Sequence, residues 1–275
     1  MRIAVCIKQV PDTREVKLDP VTNNIIRDGV PSIINMDDKS GLEMAIQLKE
    51  KHGGTVSVFT MGPPQADLAL REALAMGCDE AFLISAREFG GSDTYATGYI
   101  IATAMQKVEA TDGAFDLFIT GRQAIDGDTA QVGPQIAENL KVPQVSYAEG
   151  IEINGDVVTV KRQYEDRYHI IEVGMPCLLT AIQELAEPRY MHAGLIVDAY
   201  NKEIPVIGFN DIKDMMDVTA IGNARMIDGE PAGSPTNVVR SFTKQPKGQG
   251  IKYDNVGPDE AVKIIMDKMI ERHII

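Results

Sequence analysis

Asp116 to Leu140 reads DLFITGRQAIDGDTAQVGPQIAENL, and the fold can be worked outward from it. Leu117-Phe118-Ile119-Thr120 is a short apolar run suited to a buried strand, and Gly121 to Gly127 is a glycine-bearing loop. Ala130, Ile136, Ala137 and Leu140 then share one helical face. Asp128 stands where an N-cap would accept the amide of Gln131, with Gln131 reaching back as in a capping box. Strand, glycine loop and helix start together present unpaired N–H groups and the positive end of a helix dipole, the usual setting for an anionic group. No Lys follows the loop and the glycines are not spaced GxGxxG, which excludes a Walker A loop and a dinucleotide fingerprint. Asp126 and Asp128 would repel a phosphate unless they face away. They are therefore assigned to capping and ribose hydroxyls, with phosphate left to backbone amides and small side chains. Gly133-Pro134 falls within the helical pattern and predicts a kink or break there. An ordinary βα loop ahead of a well-capped helix fits the same residues.

Similar units lie upstream. Ile3 to Ile7 is a strand pattern, and Lys8 follows at its C-terminal end, where open α/β sheets bind ligands. Residues 14 to 34 read as irregular or extended, with turns at Asp19-Pro20 and Asp28-Gly29. Asn35 to His52 is a helix with Leu42, Ala45, Ile46 and Lys49 on one face, stopped by Gly53-Gly54. Asp37 and Asp38 at its start either balance the helix dipole or touch a sugar or adenine. Thr55 to Thr60, a helix from about Gln65 to Met76, and Ala81 to Ile84 continue the alternation. Gly90-Gly91-Ser92-Asp93-Thr94 opens a helix running to about Val108, with Ser92 or Asp93 as its N-cap. That loop is similar to the SGGxDS loop of ATP pyrophosphatases, but it follows a later strand and lacks the leading Ser, which disfavours an ATP-using enzyme. Four alternating units predict an α/β fold, a doubly wound, mostly parallel sheet with helices on both faces.

After Leu140 the pattern changes. A β-hairpin extension is signalled by Asn154-Gly155, and Tyr168 to Val173 and Cys177 to Thr180 read as further strands. Residues 187 to 257 are loop-rich, and 228 to 250 are rich in Gly, Pro, Ser and Thr. The chain then ends in a helix opened by Pro258, with Val262, Ile265, Met266, Met269 and Ile270 in one stripe. This divides the chain into an α/β nucleotide-binding domain, 1–200, and an extended C-terminal arm with its helix, 201–275, laid on a partner. A net charge of −13 over 275 residues argues against nucleic-acid binding. Cys6, Cys78 and Cys177 share no metal-ligand spacing and read as core residues of a reducing compartment. No apolar run approaches the roughly 20 residues of a membrane helix, so a cytoplasmic protein without membrane insertion is expected.

Taken together, RIAVCIKQVPD, INMDDKSGLEMAIQLKEKHGG, MGPPQ with LREALAMGCDEAFLI, GRQAIDGDTAQVGPQIAENL and KRQYED…MPCLLT…EPRY resemble the β subunit of electron-transfer flavoproteins over about residues 1 to 200. Arg167 departs from the pattern, which usually has Gly or an acid there. The resemblance implies a heterodimer with a flavin-carrying α subunit. It also implies a nucleotide pocket in this chain at Cys6, at Asn35, Met36, Asp37 and Asp38, and at Met61. The rest of that pocket would come from Asp126, Gly127, Asp128, Thr129, Ala130, Gln131, Val132, Gly133, Pro134, Gln135, Ile136 and Ala137. In the respiratory-type branch this pocket holds structural AMP; in the electron-bifurcating, nitrogen-fixation-linked branch it holds FAD. CIKQVPDT, NMDD, GSDTYATG and DGDTAQVGPQIAE are closer to the second. That branch would take hydride from NADH and send one electron to ferredoxin or flavodoxin. The other would pass through the α-subunit FAD to an acyl-CoA dehydrogenase. Asp93, Thr94 and Thr97 are then expected near the flavin ring, and no side chain is expected to act as a catalytic acid or base. After Glu187-Pro188-Arg189-Tyr190, Ala193 takes the place of a Leu that anchors the dehydrogenase in the family, leaving Met191 and Leu195 as substitutes.

Overall fold

The computed structural model describes residues 1–12, 17–18, 25–26, 31–223, 225–227, 230–236 and 250–275. The turns expected at Asp19-Pro20 and Asp28-Gly29 lie outside these residues, as does most of the Gly/Pro-rich stretch.

In chain order the main elements are β1 (Arg2–Cys6), α1 (Met36–His52), β2 (Thr55–Met61), α2 (Asp67–Met76), β3 (Glu80–Ile84), α3 (Thr94–Asp112), β4 (Leu117–Gly121) and α4 (Val132–Leu140). There follow β5 (Gln144–Asn154), β6 (Val157–Gln163), β7 (Tyr168–Gly174), β8 (Cys177–Ala181), α5 (Ala193–Asn201) and β9 (Val206–Ile207). The nine strands form one sheet in the order β7-β6-β5-β8-β4-β1-β2-β3-β9. Only β6 runs against its neighbours; every other pairing is parallel.

Alternation along the strands divides the interior in two. Ile3, Val5, Val58 and Ile119 pack with Leu42, Ala45 and Ile46 of α1 and Leu70 and Ala73 of α2. Ala4, Cys6, Phe59 and Phe118 face the other way, onto Ile100, Ile101 and Met105 of α3 and Ile136 and Ala137 of α4. This is the expected doubly wound arrangement, because a parallel sheet covered on both faces needs apolar side chains at consecutive positions. The three cysteines are buried and unbridged.

Three local readings change. The break predicted at Gly133-Pro134 does not occur, because α4 begins at Val132. Pro134 then sits in the first turn, where its missing amide would have had no intrahelical acceptor. The hairpin turn is Gly155-Asp156, one residue beyond the Asn154-Gly155 signal: Asn154 pairs with Val157, and Gly155 takes the left-handed conformation at φ 58°. The loop-rich region also contains α5, which lies against α2 with Ala199 buried.

The α/β unit continues past residue 200. β9 pairs with β3, and the Ser234 hydroxyl accepts the amide of Asp93 at 2.8 Å. Residues from Val239 onward form a separate compact unit. Its described helix, α6 (Pro258–Glu271), opens on Pro258 with Asp259 and Glu260 in the first turn, as the sequence predicts. The stripe of Val262, Ile265, Met266 and Ile270 finds no cover among the described residues of that unit. Among the described residues, no helix is long and apolar enough to cross a membrane.

Candidate functional site

The order of strands reverses beside β1. The chain passes from β1 outward to β2 and β3, then returns to place β4 on the other flank. Helices above and below part at such a point, leaving a crevice outside the strands' carboxyl ends where open α/β sheets bind ligands. The end of β1, the start of α1, the loop after β4 and the start of α4 meet here.

Asn35 ties these pieces together. It is fully buried. Its amide donates to the Lys8 carbonyl at 2.9 Å, its Nδ2 donates to the Gln123 carbonyl at 2.8 Å, and its Oδ1 accepts the Ile125 amide at 3.1 Å. Although Asn35 occupies the N-cap position of α1, its side chain does not cap the helix. It holds the loop after β4 to the end of β1 instead.

Asp38, also buried, accepts the Lys8 amide at 2.7 Å. Burial pushes its carboxyl up to about 7, against the opposing bonds from Asn35 and Lys8. Burial, and next the Asp38 charge, also raise the Cys6 thiol well above its ordinary range. Asp37 pairs with Arg122 at 3.1 Å, but the guanidinium N–H is not aligned for a hydrogen bond. Burial raises the Asp37 carboxyl, with Arg122 opposing it. Gly121 permits this crowding, since a Cβ there would lie 2.0 Å from Asp38 Oδ1 and 2.8 Å from the Asp38 amide.

The loop after β4 differs from the capping box expected of it. Asp128 is not the N-cap of α4; Gln131 holds that position without a side-chain cap. Asp128 and Ala130 instead take left-handed backbone conformations at φ 54° and 53°, an uncommon state for residues bearing a Cβ. The amides of Gly127 and Asp128 turn back onto the Ala124 carbonyl at 3.2 and 2.8 Å. Asp126 receives Lys8 Nζ at 2.8 Å on both carboxylate oxygens, and Asp128 accepts from Gln123 Nε2. Nothing lies within 4 Å of where a Gly127 Cβ would stand. Thr129 is exposed beside it.

Within α4, several expected ligand residues are occupied in packing. Ile136 and Ala137 are buried in the core, with Val132 packed against it. Gly133 faces the sheet, where an added Cβ would meet Thr120 Oγ1 at 2.6 Å and Thr180 Cγ2 at 2.8 Å. Gln135 lies against α3, its Cβ 2.8 Å from the position of a Cβ on Gly98. Met61 packs against the core beneath the crevice. Met36 and Pro134 are half-buried.

Asp93 caps α3 by accepting the Ala96 amide at 3.0 Å. Its other oxygen accepts the Thr236 amide and hydroxyl at 3.0 and 2.7 Å, so both oxygens are engaged within the chain. Thr97 donates its amide to the Asp93 carbonyl at 2.9 Å. Thr94 reaches the other loop: its hydroxyl donates to Gln131 Oε1 at 2.8 Å, bringing the start of α3 to the start of α4. Sequence reasoning missed Gln123 and Arg122, whose partners on the side of α1, Asn35 and Asp37, lie far from them in the chain.

The geometry suits a nucleotide phosphate. The first amides of α4 have no intrahelical acceptor, the backbone beside Gly127 is open, and both loop carboxylates already have donors. The Electron transfer flavoprotein domain matches residues 22–207. This chain belongs to the electron transfer flavoprotein family. It is 49% identical to the electron transfer flavoprotein subunit beta of Clostridium acetobutylicum over the whole of both chains. It is equally identical to the caffeyl-CoA reductase–Etf complex subunit CarD of Acetobacterium woodii, again over both whole chains. It is 40% identical to the protein FixA of Azorhizobium caulinodans over 95% of this chain and 92% of that one. Among the subunits of the family it is a β subunit.

A second surface of this electron transfer flavoprotein subunit is built after β8. The Arg189 guanidinium bonds Glu43 at 2.9 and 3.0 Å and Glu50 at 2.6 and 3.0 Å. The Arg189 amide also donates to Glu43, at 3.1 Å. Beyond this clamp Tyr190 is 98% exposed, and Met191 and Leu195 are exposed as well.

Proposed function

We propose that this chain is the β subunit of an electron-bifurcating electron transfer flavoprotein, with FAD in the crevice at β1 and β4. The bridge from Thr94 to Gln131 carries the reading. It makes the start of α3 contiguous with the loop after β4, so a nucleotide longer than AMP has a wall to follow beyond its first phosphate. Full-length likeness to a subunit of a caffeyl-CoA reductase–Etf complex supports the same branch.

Asn35 and Asp38 set the position of the loop, the first amides of α4 hold phosphate, and Gly127 leaves room for it. Thr94 and Thr97 border the route to the ring. When bound, FAD supplies acceptance of hydride from NADH and one-electron transfer, and the protein supplies orientation and electrostatics. The partners in this reading are the α subunit with its own FAD, ferredoxin or flavodoxin, and an acyl-CoA dehydrogenase. The arm of this reading begins at Val239 rather than at residue 201, with the stripe of α6 seated on the α subunit, and the complex works in the cytoplasm. Structural AMP in the same crevice is the second reading, because AMP uses the same loop.

The test is the nucleotide released on denaturing the purified heterodimer. Two FAD and no AMP, with bleaching of flavin absorbance by NADH, are expected. One FAD with one AMP, and no NADH oxidation, would overturn the reading in favour of the second.

A further inference from the structure

An anion-binding loop in a chain of net charge −13 carries two carboxylates of its own, Asp126 and Asp128. Each has a donor from a different part of the site. Lys8 Nζ lies 2.8 Å from both oxygens of Asp126, and Gln123 Nε2 donates to Asp128. Neither donor's backbone is free to drift. The Lys8 amide is bonded to Asp38 and its carbonyl to the Asn35 amide, while the Gln123 carbonyl accepts Asn35 Nδ2. Asn35 thus fixes the backbone of both.

The Lys8–Asp126 pair adds little to folding. Its side chains are 48% and 34% exposed, and pairs of that kind contribute about 0–1 kcal/mol at most. What the pair changes is charge. Gln123 is a neutral amide, so Lys8 is the cation among the two donors. Without it, Asp126 would place an uncompensated negative charge in the loop that leads to the amides of α4.

We propose that Lys8 is the charge-setting residue of the nucleotide site: it cancels Asp126, and affinity for the phosphate, as distinct from the nucleoside, depends on it. This rests on the crevice being the nucleotide site. Lys8 acts here through Asp126 and is a positioning residue.

The experiment titrates the full-length chain, in its complex with the α subunit and freed of nucleotide, with AMP and with adenosine by calorimetry. Lys8→Gln should weaken AMP on the order of tenfold, the effect of one uncompensated surface charge, and leave adenosine within about twofold. Asp126→Asn should tighten AMP by a similar factor, since Lys8 then faces the phosphate unopposed. The double variant should return AMP affinity close to wild type. Equal weakening of AMP and adenosine in Lys8→Gln would show a merely structural role and overturn the proposal. So would weaker AMP binding in Asp126→Asn, which decides the matter alone if Lys8→Gln does not fold. A wild-type complex that binds neither ligand would overturn the nucleotide reading itself, before any variant is compared.

Discussion

Asp38 makes the stability of this subunit depend on pH in a direction that can be calculated. Its carboxyl is buried at the start of α1 and titrates at about 7 when folded. An Asp in the unfolded chain titrates near ~3.9. The folded state therefore holds this proton more tightly. The resulting stability is fully present below about pH 4 and is lost as pH rises through about 7. Each pH unit within that window changes stability by about 1.36 kcal/mol. Between about pH 5.5 and 8 the integrated change is about 1.5 such units, or about 2 kcal/mol. Asp37, also raised by burial, acts in the same direction. Asp38→Asn cannot ionise and should remove the Asp38 part. The assay is urea unfolding of the full-length protein at the two pH values, wild type against variant, with unchanged m-values as the check that only stability has moved. The wild type should lose about 2 kcal/mol more than Asp38→Asn on going to the higher pH. Equal losses would mean that Asp38 is already ionised in the folded protein at acid pH, and that the bonds from Lys8 and Asn35 outweigh its burial.

Arg189→Ala should cost about 3 kcal/mol in urea unfolding, because the buried Glu43 loses its cationic partner and keeps only neutral donors, Gln47 and the residue-189 amide, whereas Glu50→Ala, at the exposed end of the same clamp, should cost under about 1 kcal/mol. Gly133→Ala should lower stability by about 1–3 kcal/mol by forcing α4 off Thr120 and Thr180. Gly127→Ala should leave stability within about 0.5 kcal/mol while weakening nucleotide binding in calorimetry. Changing both Met191 and Leu195 to Ala should slow electron transfer to the acyl-CoA dehydrogenase in stopped flow, at up to about 1.5–3 kcal/mol of lost burial per side chain, without altering NADH reduction of the flavin. Removal of residues 250–275 should weaken association with the α subunit in ultracentrifugation while the circular dichroism of the α/β unit persists.

The alternating units were legible because their signals are local. Leu42, Ala45 and Ile46 mark a face by spacing alone, and Gly53 stops the helix where its φ is 74°. β8 was legible as a strand but its place between β4 and β5 was not, since nothing in CLLTA names its neighbours. α5 was hidden by the prolines on either side, Pro188 and Pro205. At the site, the loop after β4 could be located from its glycines and the start of α4. Its conformation could not, because Asp128 and Ala130 adopt left-handed backbone without the glycine that usually signals it. Gly133 could be read as a helix breaker, but its close approach to Thr120 and Thr180 could not, because those contacts come from strands distant in sequence. Lys8 was visible at the end of a strand, but its partner lies 118 residues away.

The place of β8 also constrains the order of events during synthesis. Once Gly121 has left the ribosome, β4 can pair with β1 on one side only. Its other neighbour, residues 177–181, is made after the whole hairpin has emerged. A nascent chain ending before Cys177 therefore presents a four-strand sheet, β4-β1-β2-β3, with the hydrogen-bonding edge of β4 bare next to the unfinished crevice. Such an edge is a template for pairing with other chains. Arg122, whose amide bonds the Ala181 carbonyl at 2.7 Å, receives its last backbone partner only when β8 slots in. The crevice is thus closed by a strand that arrives late, and premature termination in the hairpin leaves an aggregation-prone fragment instead of a smaller working site.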